Sequence, residues 1–144
     1  MNIQFPLTAQ WLSKRPATWI GPFLAAVVAL SPAVWPMGAQ ATEITDADGR
    51  TVAVEDLSRV VSIGGSVTEI LYALGLQDRI VAVDTTSLYP AQALGEHPNV
   101  GYMRALSPEG ILSMEPSLIL AEEGSGPPET ITLLENASVP FVLV

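Results

Sequence analysis

Four short segments carry the side chains that could do chemistry. Tyr102 and Arg104 lie two residues apart in Val100-Gly101-Tyr102-Met103-Arg104. A phenolate is a hard anionic ligand that suits ferric haem iron. A free phenol titrates near pH ~10, so ligation needs help in favouring the charged form, and a nearby cation gives it. Arg104 is such a cation, and its forked guanidinium also matches a carboxylate. On local sequence alone the reading as two surface residues of a loop prevails. Gly64-Gly65-Ser66 could form an anion-binding nest at a helix N-terminus. It lacks the third glycine of a dinucleotide fingerprint, and no Gly-Lys-Ser/Thr follows. A tight strand-to-helix turn explains it as well. Asp84-Thr85-Thr86-Ser87 is small and hydroxyl-rich, fit for lining a polar pocket or for making a local Asx or Ser/Thr turn. Glu122-Glu123 is a weak metal-ligand pattern, being only two adjacent acids on a loop. His97 is the single histidine, set in a proline-rich loop where a solvated ring is expected. No serine–histidine–acid triad is built around it. Tyr72 and Tyr89 read as packing residues.

Composition narrows the chemistry further. Of 144 residues, 49% are hydrophobic and none is cysteine. Disulfides, thiolate metal sites, iron–sulfur clusters, covalent c-type haem attachment and a cysteine-lipid anchor are all excluded. Residues 1–41 hold no acid and two bases, Lys14 and Arg15. Residues 42–144 hold all 15 acids against four arginines, Arg50, Arg59, Arg79 and Arg104, a net charge of −11. Such a surface repels phosphate, so nucleic acid is not an expected partner.

The acid-free start looks like an address. Lys14-Arg15 precedes an uncharged run whose apolar heart is Trp19 to Leu30. That is the length of a secretory h-region and short for a membrane span. Ala39-Gln40-Ala41 puts small residues at a cleavage site. Residues 1–41 are therefore expected to be a signal peptide and 42–144 the exported, periplasmic domain; an uncleaved signal anchor is the rival reading.

The elements that must position the four segments follow a repeat. Ile44-Thr45 and Thr51 to Val54 flank Asp46-Ala47-Asp48-Gly49-Arg50, a hairpin with an Asp-Gly turn. Val60 to Ile63, Ile80 to Val83, Leu118 to Ala121 and Phe141 to Val144 are short apolar runs, the mark of strands buried on both faces of a parallel sheet. Helices are predicted between them. The first runs from Ser66 to about Leu74, with Ser66 and Glu69 as a capping box. The second opens at Ser107-Pro108-Glu109 with serine at N-cap. The third spans Glu129 to Asn136. Asp84 to Val100 is expected to be a long loop. The fold class is α/β, a three-layer Rossmann-like lobe with a parallel sheet. Ligands of such sheets sit beyond the carboxyl ends of the strands, so all four chemical segments should share one rim.

Val60-Val61-Ser62-Ile63-Gly64-Gly65-Ser66-Val67-Thr68-Glu69-Ile70-Leu71-Tyr72-Ala73-Leu74-Gly75 resembles the opening motif of class III periplasmic binding proteins of ABC importers. Val83-Asp84-Thr85-Thr86-Ser87, Val100 to Ser107, Glu109 to Ser113 and Gly126-Pro127-Pro128 are similar to the haem (hemin)-binding subfamily. The likeness covers roughly residues 58–144. It implies that haem b is the transported ligand and that Tyr102 ligates its iron with Arg104 beside it. Gly65, Ser66, Thr85 and Thr86 would line the pocket wall. It also implies that Glu109 docks on arginines of an inner-membrane ABC permease, and that an outer-membrane haem receptor system lies upstream. Cobalamin or a ferric siderophore is the near alternative cargo. A nucleotide-dependent enzyme and a non-functional truncated fragment are the alternatives of other classes. The family pattern has two lobes joined by a long helix. Residues 42–144 are expected to be the N-terminal lobe with the second lobe absent, and the last strand an uncovered edge prone to association.

Overall fold

A computed structural model describes residues 41–144; all of the expected signal peptide (1–41) but its last residue lies outside the described part. The described chain opens with β1 (Thr42–Thr45) and β2 (Thr51–Val54), antiparallel around the Asp46–Arg50 turn. Then come β3 (Val60–Ile63), α1 (Gly65–Ala73), a 3-10 turn (Gln77–Arg79), β4 (Ile80–Val83) and α2 (Ala93–Glu96). The series closes with α3 (Pro108–Leu112), β5 (Leu118–Ala121), α4 (Pro128–Glu135) and β6 (Phe141–Leu143). Strands β3 to β6 form one parallel sheet in the order β4-β3-β5-β6. The expected α/β fold is what forms.

Its two cores follow from strand alternation. Val61, Ile63, Ile119 and Phe141 face one way and pack with Ile111 of α3 and Leu134 of α4. Val60, Leu118 and Val142 face the other way and pack with Val67 and Leu71 of α1 and Val54 of β2. Burying each such side chain stabilises the fold by roughly 1.5–3 kcal/mol. That is why runs with no polar alternation become strands covered on both faces here. On the α1 side, an apolar cleft of about 580 Å³ is lined by Ile44, Val54, Leu57, Leu71, Leu118 and Leu120, among others.

Three local expectations need correction. Ser66 is not the N-cap of α1. Gly64 is, at φ +107°, and no side chain caps the helix; the Ser66 hydroxyl instead donates to Glu122 Oε2 at 2.8 Å. The stretch from Asp84 to Val100 contains α2 and is not a plain loop. The sheet's last strand is not an uncovered edge. The Ala47 N–H donates to Leu143 O at 3.0 Å, and Arg50 Nη2 donates to Phe141 O at 3.2 Å. Arg50 is itself held by Asp46 and Glu135 and lies over the Phe141 ring. The opposite edge is shielded near its end, where Val83 O accepts the Val100 N–H and the Val83 N–H donates to Pro98 O, both at 2.9 Å. By contrast, Ser107 is the N-cap of α3 as expected, accepting the Gly110 N–H at 3.3 Å.

Candidate functional site

The four segments meet at the carboxyl-end rim and are hydrogen-bonded in a closed ring. The Gly64 N–H donates to Asp84 Oδ1 at 2.9 Å. Thr85 N–H donates to Gly101 O at 2.8 Å. Gly126 N–H donates to Met103 O at 2.9 Å, and Leu106 N–H returns to Gly126 O at 3.0 Å. Glu122 N–H donates to Ile63 O at 2.9 Å, and the Ser66–Glu122 bond completes the circuit.

Packing demands the glycine pair in this ring. A Cβ on Gly64 would lie 2.5 Å from Glu122 Oε2, and one on Gly65 would lie 2.6 Å from Thr86 O. The negative group beside the start of α1 is thus the chain's own Glu122. Gly65 sits against the backbone of Thr86, and Ser66 is exposed with its hydroxyl hydrogen directed to Glu122.

Thr85 is exposed and Thr86 half-buried. The Thr86 hydroxyl donates to Asp84. Beneath them a hydroxyl chain runs from Ser87 to Thr68 at 2.7 Å and on to Ser62 at 2.8 Å.

Tyr102 is 48% exposed, and Met103 beside it only 9%. Met103 reaches into the core with Ile111 and Ile119, so its neighbours Tyr102 and Arg104 are left at the surface. Gly101, at φ +103°, takes a left-handed turn open to a residue without Cβ, and its N–H donates to Asn99 Oδ1 at 2.7 Å. Ala105 N–H closes the turn on Tyr102 O at 2.8 Å. The ion pairs among the described residues use Arg50 and not Arg104, which is exposed. The rim therefore presents a phenol and an uncommitted cation on a loop pinned from below. Neither residue lines the apolar cleft, which lies under the hairpin. Sequence reasoning missed Met103 as the anchor; its signal was an apolar residue between two polar ones.

Glu109 is exposed in the first turn of α3, directly after the rim loop. The structure overturns two further expectations. Tyr89 is 67% exposed and so is not a packing residue, and Leu88 before it is 70% exposed. His97 is not freely solvated. Its Nε2 lies 3.0 Å from Tyr72 Oη, with the rings edge to face at 6.1 Å. Tyr72 also donates to Glu96 Oε2 at 2.8 Å. Burial, followed by the bond to Glu96 and its charge, pushes the Tyr72 phenol up to about 12.

Residues 60–144 match a family model described as Periplasmic binding protein. The vitamin B12-binding protein of Vibrio parahaemolyticus serotype O3:K6 is 36% identical over 91 residues, 63% of this chain and 33% of that protein. The chain thus spans about a third of the length of the curated relatives it matches. The apo periplasmic haem-binding protein RhuT of Roseiflexus sp. RS-1 is 43% identical with a TM-score of 0.58, covering 61% of this chain and 34% of that one. The haem-binding protein HmuT is 34% identical with a TM-score of 0.65, covering 74% and 35%.

Proposed function

Because this chain belongs to the periplasmic binding protein family, we propose that it is a periplasmic haem-binding protein that hands haem to the permease of an ABC-type importer. One observation carries the reading. Tyr102 and Arg104 stand outward on a pinned loop at the strands' carboxyl ends, in a chain 43% and 34% identical to haem-binding structures. In this reading the Tyr102 phenolate ligates ferric iron. Arg104 meets a propionate. Gly65, Ser66, Thr85 and Thr86 lie along the pocket wall. The segment's net charge of −11 repels the propionates, so attraction is local to Tyr102 and Arg104.

The chain binds and transfers haem and does no chemistry on it. Residues 1–41 act as a cleaved signal peptide that directs it to the periplasm, and 42–144 act as an N-terminal lobe. Glu109 meets the permease.

Ferric haem titrated into the protein should give a tyrosinate-type spectrum, which Tyr102→Phe abolishes. An unchanged spectrum in that variant would sink the ligand assignment. Cobalamin is the second reading, favoured by the vitamin B12-binding relatives. Displacement of bound haem by cobalamin in a competition titration would support it.

A further inference from the structure

We propose that Asp84 is the positioning residue that sets the Tyr102 loop, an inference resting on the reading of Tyr102 as the ligand-contacting residue. Asp84 is fully buried, yet the ion pairs among the described residues leave it without an arginine. Its carboxylate is held by hydrogen bonds alone. Oδ1 accepts the Gly64 N–H at 2.9 Å and the Ser87 hydroxyl at 3.2 Å. Oδ2 accepts the Thr86 N–H at 3.0 Å. The Thr86 hydroxyl lies 2.9 and 2.8 Å from the two oxygens.

A buried carboxylate is tolerable when several donors point at it. An ionised carboxylate also accepts on every side and donates on none. Each oxygen here faces a backbone N–H whose direction the fold fixes. An amide cannot replace it, because whichever way it turns its NH₂ confronts one of those two N–H groups.

The consequence reaches Tyr102 in two short steps. Asp84 holds the 84–87 turn against the start of α1. That turn donates Thr85 N–H to Gly101 O at 2.8 Å, on the residue before Tyr102. Val83, the residue before Asp84, holds Pro98 and Val100 by backbone bonds. Asp84 therefore fixes where the phenol stands relative to the helix start and Thr86. It does not itself touch the ligand.

The test compares Asp84→Asn with the wild-type chain in two ways. Without ligand, amide hydrogen exchange over residues 101–106 should speed up by about tenfold or more, as loss of a charge-assisted buried bond implies. Exchange in the β1–β2 hairpin should change far less. With ferric haem, affinity should fall by about tenfold or more and the tyrosinate-type band should shift. Equal acceleration in the hairpin and in 101–106, or wild-type haem affinity and spectrum, overturns the proposal. If Asp84→Asn does not fold, Thr86→Val keeps the carboxylate and removes one donor. It should give the same local acceleration at smaller size, and unchanged exchange over 101–106 overturns the proposal. If Tyr102→Phe leaves the haem spectrum unchanged, the ligand reading fails, and the ligand-free exchange still decides the role of Asp84.

Discussion

Tyr72 shows how one half-buried side chain can organise a loop. Its hydroxyl donates to Glu96 and lies against His97 Nε2, so with neutral histidine the Nε2 position must carry the proton. Burial and the Glu96 charge disfavour the phenolate. The folded pKa of about 12 lies above the ordinary 10.0. The neutral phenol's contribution is therefore complete below pH ~10 and is lost as pH rises through the folded value. An ultraviolet titration of phenolate absorbance should show one tyrosine ionising near pH 12, and Tyr72→Phe should delete that step alone. Persistence of the step in that variant would mean another tyrosine carries it. The sequence placed His97 in solvent because a lone polar ring on a proline-rich loop has no local partner. Its partner stands 25 residues earlier on α1.

At the scale of elements, the strands were readable and the helix starts only partly so. Ile80–Val83 and Leu118–Ala121 are apolar throughout, and Val60–Ile63 is so but for Ser62; a segment that must be dry on both faces announces itself. Ser107 was readable because its partner Gly110 is three residues on. Ser66 was misread because its partner Glu122 is 56 residues away, beyond any spacing rule. The rim was anticipated as a shared edge, but the links that close its ring are long-range and invisible to local pattern. Gly65 tests the element contact directly. Gly65→Ala puts a Cβ 2.6 Å from the Thr86 carbonyl, and overpacking against backbone costs roughly 1–3 kcal/mol. Chemical denaturation should show that loss. A variant as stable as wild type would mean the α1 start and the 84–87 turn are free to part.

For the molecule as a whole, the hairpin decides whether the sheet has a sticky side. Two outward carbonyls of β6, on Phe141 and Leu143, are occupied by Arg50 and Ala47. An edge whose acceptors are taken is a poor template for a second chain. Ala47→Pro removes one of those donors. It should shift the protein from monomer towards dimer as concentration rises, as read by analytical ultracentrifugation. A concentration-independent monomer would show that the Arg50 contact alone is sufficient.

The same clamp has a bearing on time. The Arg50–Phe141 bond joins residues 91 apart, and β3, the central partner, pairs with β5 some 58 residues later. A chain that folds as it emerges can form the hairpin at once but has nothing to fasten it to until β6 arrives. Non-local pairings of this kind make folding slow, since loop closure must precede any reward. During that interval the β5 side of the growing sheet lies open, the condition in which partly folded chains find one another and holding chaperones become useful.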